Sequence, residues 1–538
     1  MPSWNKKDEW TELCKEKATL MKSRRYKEIL LLLLCLLLGF ALRFYNLEQK
    51  SLWIDEIHTF NDSRDDIQGQ LKYYKENPTY FHPPLFFVLT HSFYPFTKPE
   101  RELRIIPLIF GVLSIPMIYF LSRKFSPNIA IPCTLSLTFM TYHIYFSQDG
   151  RMYSLIMFFG MASLYFFMKH LKTLRKRYLV FVAVLYAILF YTSYSSIIFI
   201  VLSQMLWFFQ IDGEQKQSTI PSFLILTGST IFLCIPWILF VVLNHKGQPV
   251  MDPLTIQEIG SFSNIMVGMF NDWAPLTPLT IASLILLILF PFFSQNKGNS
   301  LILLALFVLP IGGLYLYCKL LKVTQFITSR YFINFLPLFF ITLYLSLDTI
   351  EFKFDKLKRF LRLGPKLLFL ILLILSNLVI LFPYYHSEKQ DFRGLVNYLN
   401  SQLRDGDKIF VKTFTYIPGI LHYFRVDPKN RHYEIPMVWK KPGEEFELKM
   451  SLVSQDRVFT IYHSNIPYAQ YVADGNRLWI LTGKDAAKEI KKSFPCVLKG
   501  YFDGSFASFR RFPSDASMYL FLWDPQSPRE KGIDMPIE

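Results

Sequence analysis

Apolar stretches recur along the first 383 residues, separated by short charged gaps, and the pattern changes character after Pro383. A membrane-spanning helix needs roughly 20 apolar residues. Runs approaching or reaching that length lie at about 29–46, 103–122, 128–146, 152–168, 178–192, 195–210, 219–243, 276–293, 300–317, 331–347 and 367–383, which predicts about eleven spans. One further apolar run, 84–96, is only about 13 residues long, too short to cross, and reads as an interfacial or re-entrant helix. Beyond Pro383 charged residues return and apolar runs shorten to strand length. There 393–403 reads as an amphipathic helix, 405–407 as a turn, and 408–414, 457–462, 477–481 and 518–523 as strands. The expected architecture is an α-helical polytopic membrane bundle, 29–383, behind a basic N-terminus, 1–28, followed by a soluble α/β domain, 384–538.

Composition agrees with this reading. A hydrophobic content of 51%, an aromatic content of 17% and a mean hydropathy of +0.25 exclude an ordinary soluble protein. The net charge of +16 does not point to nucleic acid, because the basic residues cluster between apolar runs, where they orient helices in a bilayer. Residues 1–28 carry eight of them, Lys6, Lys7, Lys15, Lys17, Lys22, Arg24, Arg25 and Lys27, which places the N-terminus in the cytoplasm. The loop 47–102 then lies on the outer face, provided that 84–96 does not cross. With that parity the basic gaps at 123–124, 169–177 and 349–366 fall inside, and the soluble domain falls outside. The first apolar run has no small-residue cleavage site after it, so it reads as an uncleaved span. The six cysteines are scattered without metal-ligand spacing and read as packing residues.

The candidate chemistry sits in that outer loop. Asp55 and Glu56 are adjacent carboxylates just past the first span, and two like charges stay ionised side by side only in a wet or cation-rich place. His82 follows in the same loop. No phosphate-binding glycine loop, dinucleotide fingerprint, zinc-protease or serine-hydrolase motif is present in the sequence. A polar site over a hydrophobic bundle suits a substrate with a polar head and a lipid tail. A transporter or flippase would instead place charges near the middle of the spans, and an envelope assembly subunit would need no acidic pair.

Four stretches in order, Trp53-Ile54-Asp55-Glu56, His82-Pro83-Pro84-Leu85, Ser147-Gln148-Asp149-Gly150-Arg151-Met152-Tyr153, and Ser329-Arg330-Tyr331 with Pro337, resemble the signatures of GT-C glycosyltransferases. The nearest branch is the glycosyltransferase family 39 and protein O-mannosyltransferase type, with the bacterial lipid A aminoarabinose transferases as relatives. The resemblance spans about 29–383. It implies a multi-pass protein of the bacterial inner membrane, with the C-terminal domain in the periplasm. The implied reaction is transfer of a sugar from a polyprenyl-phosphate donor to a lipid, glycan or protein acceptor. It puts Asp55 in the catalytic cavity with Glu56 supporting it, and Arg151 and Arg330 on the carrier phosphate. His82 would meet the phosphate or Asp55; Asp149 would serve the site or pair with Arg151; Tyr153 and Tyr331 would contact substrate. No particular cofactor is implied, and a divalent metal is compatible with the acidic pair. One departure is Tyr191-Thr192-Ser193-Tyr194, where relatives often carry Tyr-Thr-His-Tyr.

Overall fold

The computed structural model describes residues 26–76, 82–206, 213–245, 262–320, 328–353, 364–426, 447–504, 516–526, 532–535 and 537. Most of the basic N-terminus, the two residues before His82, and parts of 244–275, 319–330 and 349–366 lie outside them. Among the described residues, six helices are long and apolar enough to cross a membrane, and two bent helix pairs raise the number to eight. Of the remaining expected spans, 29–46 lies on the helix 26–44 and 178–192 on the 17-residue helix Lys176–Thr192, whereas 195–210 holds the eight-residue helix Ser196–Ser203, with 207–210 outside the described residues. The chain is a multi-pass membrane protein. The segment 84–96 contains only the seven-residue helix Leu85–His91, about 10 Å long at 1.5 Å per residue and far short of a bilayer.

Two of the spans are broken, and each break is repaired by buried side chains. Pro127–Phe139 and Thr141–Ser147 meet at 59°, leaving carbonyls at the end of the first piece without helical partners. Arg43, fully buried near the C-terminal end of helix 26–44, donates to Leu137 O at 2.9 Å and Thr138 O at 3.1 Å and lies 2.7 Å from His143 Nδ1. Asn377 of helix Pro365–His386 accepts from Thr141 N on the other side of the break. Irregular backbone at membrane depth persists only where protein groups satisfy it in this way. The second broken pair, Phe262–Trp273 and Thr277–Phe293, turns through 109°, and at the turn the buried Thr280 Oγ1 donates to Ala274 O at 2.9 Å. Helix Pro99–Phe125 packs against Thr141–Ser147 at Gly111, where a Cβ would meet Ser147 Oγ at 2.2 Å; only glycine permits this approach.

The C-terminal domain is a six-stranded mixed sheet, β1 Lys408–Val411, β2 Glu447–Ser454, β3 Arg457–Ser464, β4 Leu478–Gly483, β5 Val497–Phe502 and β6 Met518–Trp523, in the order β2-β3-β1-β4-β6-β5. β1 runs parallel to β3 and β4, and the outer pairings are antiparallel. Strands β1, β3, β4 and β6 fall on the expected segments, although β1 ends at Val411 instead of continuing to 414. β2 and β5 were not anticipated: the first alternates exposed and half-buried residues and the second is interrupted by Gly500 at a register shift, so neither shows the apolar run of a central strand. One face of the sheet and the helices Phe392–Gln402 and Ile417–Tyr423 share a core with Leu52 and Ile57 of the segment after the first span and Leu103 of the helix that follows it. The domain thus packs on the segment that carries the acidic pair.

Candidate active site

Asp55 and Glu56 occupy the first turn of helix Ile54–Asp62, where successive side chains point about 100° apart. The two carboxylates therefore diverge. Glu56 turns inward and is fully buried. Its oxygens take two 2.7 Å bonds from the fully buried Arg104, a 2.7 Å bond from Gly150 N, and have Lys389 Nζ at 3.7 Å. Burial pushes its carboxyl up, but Arg104 and Lys389 outweigh this and hold it below the usual carboxylate range. Gly150 is tightly packed here, since a Cβ would crowd Leu103 and Glu56 at 3.1 and 3.3 Å.

Asp149 joins this inner network. Its Oδ1 accepts from Trp53 Nε1 at 2.7 Å and from Lys389 Nζ at 3.0 Å. The ion pair envisaged with Arg151 is replaced by one with Lys389, which also donates to Gln148 O and lies over the Tyr145 ring. Sequence reasoning missed Lys389 and Arg104. An arginine at the second position of the apolar run 103–122 was the available signal for a buried partner; Lys389, in a charged linker, gave none.

Asp55 faces the other way. Its Oδ2 accepts from Arg330 Nη1 at 2.9 Å, and both side chains remain partly exposed, 23% and 21%. Arg151 reaches the same turn, donating to Thr59 Oγ1 at 3.1 Å and to Asp55 O at 3.3 Å. Burial raises the Asp55 carboxyl, but Arg330, Arg151 and His58 together pull it below its ordinary value, so it is ionised at neutral pH. Arg330 belongs to the 3-10 turn Ser329–Phe335, pinned where Ser329 Oγ donates to the buried Asp272 Oδ2 at 2.6 Å, and its guanidinium lies over the Tyr331 ring. Tyr153 is within electrostatic range of Arg330, Arg151 and Asp55. The structure thus brings Asp55, His82, Arg151, Tyr153, Arg330 and Tyr331 together and sets Glu56 and Asp149 behind them.

Among the described residues no three His, Cys, Asp or Glu side chains are grouped to hold a metal ion. Asp55 is bonded to Arg330 and has Arg151 beside it, and these permanent positive charges repel a divalent cation, so the acidic pair does not fit a metal.

Burial first, then Arg151 and His58, push the His82 imidazole down to about 3, with Asp55 opposing them. An unfolded chain takes up this proton near pH 6.5, whereas the folded site refuses it until about pH 3. The unfolded state binds more protons throughout that window, so stability falls as pH drops through it. Thermal unfolding of the purified protein is expected at a lower temperature at pH 5 than at pH 7.5, with a shallower dependence in His82→Gln. An identical slope in that variant would assign the titration to other groups.

Comparison with known proteins bears on this geometry. The family model described as dolichyl-phosphate-mannose-protein mannosyltransferase matches residues 81–240, a stretch that includes His82, Asp149, Arg151 and Tyr153 but not Asp55 or Arg330. The crystal structure of ArnT from Cupriavidus metallidurans bound to undecaprenyl phosphate superposes with a TM-score of 0.52 at 11% identity, over 92% of this chain and 97% of ArnT. The apo form of the same protein gives 0.52 at 11%, over 93% and 98%. No curated protein matches by sequence. The GT-C fold expected from the motifs is therefore the fold of this chain.

Proposed function

We propose that this chain, built on the GT-C fold, is a membrane glycosyltransferase that moves a sugar from a polyprenyl-phosphate carrier to an acceptor hydroxyl, with Asp55 as the base. The observation that carries the reading is the partly open Asp55–Arg330 ion pair with Arg151 beside it, at one end of a membrane bundle. The undecaprenyl phosphate in the ArnT crystal structure supports a carrier of that class. The acceptor oxygen attacks the anomeric carbon as the bond from that carbon to the carrier phosphate breaks. Configuration inverts, Asp55 takes the hydroxyl proton, and the phosphate leaves with the electron pair.

Arg330 and Arg151 supply permanent positive charge for that phosphate, since a guanidinium cannot lose its proton at working pH. A phosphate drawing Arg330 toward itself weakens its hold on Asp55, so the carboxylate becomes a better base when the donor is bound. The basic gaps support a cytoplasmic N-terminus and an outer, periplasmic site on a bacterial inner membrane. The decisive experiment supplies a polyprenyl-phosphate sugar and an envelope extract to the purified protein and measures free polyprenyl phosphate together with sugar incorporated by mass spectrometry. No release above a protein-free control would reject the reaction. Arg330→Gln is expected to raise the donor concentration needed for half-maximal release roughly tenfold or more, as loss of a charge-assisted contact implies. Unchanged donor dependence would leave Arg330 as a partner of Asp55 alone.

A further inference from the structure

Four consecutive backbone N–H groups lead into the helix that carries Asp55, and each finds its acceptor on a side chain. Ser51 N donates to Glu388 Oε2 at 2.9 Å, Leu52 N to Tyr423 Oη at 2.8 Å and Ile54 N to Gln390 Oε1 at 3.2 Å. The remaining one, Trp53 N, donates to Glu56 Oε2 at 3.4 Å, and Glu56 is itself flanked by Lys389. A helix start normally satisfies its orphan donors with its own capping residue. Here the capping position is Trp53, which makes no side-chain cap bond; Trp53 N and Ile54 N open the helix, Ser51 N and Leu52 N belong to the segment just before it, and three of the acceptors lie more than 300 residues away in the sequence. They belong to the linker after the last span and to helix Ile417–Tyr423 of the C-terminal domain.

We infer that the C-terminal domain acts as the N-terminal cap of the catalytic helix, and that Glu388, Gln390 and Tyr423 are positioning residues for Asp55. The inference rests on the reading of Asp55 given above. Asp55 is the second residue of the helix, so its carboxylate is aimed by the turn that these bonds define. Lys389, Lys50 and Arg393 fasten the same junction: Lys50 donates to Tyr384 O and Ser387 O, and Arg393 donates to Gln49 O and pairs with Glu100. The sugar-transfer site is in this sense assembled by both domains.

The test uses the full-length chain with Gln390→Leu and Tyr423→Phe, each of which removes one acceptor, and Gln390→Glu, which keeps it. Hydrogen–deuterium exchange of a peptide covering 51–56 is expected to quicken about tenfold in the first two variants, in keeping with loss of one cap bond, and to return toward wild type in Gln390→Glu. Turnover at saturating donor is expected to fall about tenfold with donor affinity unchanged, again restored by Gln390→Glu. Unchanged exchange in both loss variants would overturn the cap. Quickened exchange with full turnover, in a protein that Asp55→Asn inactivates, would overturn the positioning role. Full activity in Asp55→Asn would instead reject the catalytic reading, and the exchange result, which needs no activity, would decide the cap by itself.

Discussion

Asp55→Asn is expected to abolish sugar transfer while the protein still inserts and folds. Asparagine is nearly isosteric with aspartate and can still accept the bond from Arg330 Nη1, so the outer loop keeps its geometry. It cannot take the acceptor's proton, and loss of a positioned base costs roughly 10²- to 10⁴-fold in rate. The partial exposure of Asp55 makes a purely structural penalty small. Turnover measured as carrier phosphate released, at matched protein level and unchanged thermal stability, tests this. Near-normal turnover in the variant would return the Asp55–Arg330 pair to the status of a surface ion pair.

The neighbouring substitution Glu56→Gln is expected to fail for a different reason. Glu56 and Arg104 are both sequestered from solvent, and removing one member of a buried pair leaves an uncompensated charge at a cost of about 3–5 kcal/mol. That is a large part of the roughly 5–15 kcal/mol by which a typical domain is stable. Lower yield in membranes and a markedly lower unfolding temperature are expected, with Arg104→Met behaving alike. Combining Glu56→Met with Arg104→Met is expected to recover part of the loss, because no charge is then stranded. A stable, correctly folded Glu56→Gln protein that had lost only transfer would move Glu56 into the chemistry beside Asp55.

The contrast between these neighbours marks the boundary between sequence and structure. Hydrophobic periodicity by itself determined the polytopic bundle, the short non-crossing helix Leu85–His91, the helix Phe392–Gln402 and four of the strands, because burial in lipid or in a sheet acts on every residue of a run and leaves a repeating signal. The motifs likewise placed Asp55, Arg151 and Arg330 on one list. They set Glu56 beside Asp55 as its support but could not show how Glu56 is held, since that depends on the rotation of one helix turn against Arg104 and Gly150. Nor could they find Lys389, Gln390 or Tyr423, which meet the 51–56 segment only after more than 300 intervening residues have folded. Such contacts have no period and no local composition. They are fixed by the packing of the sheet domain onto Leu52, Ile57 and Leu103, and only the tertiary structure decides them.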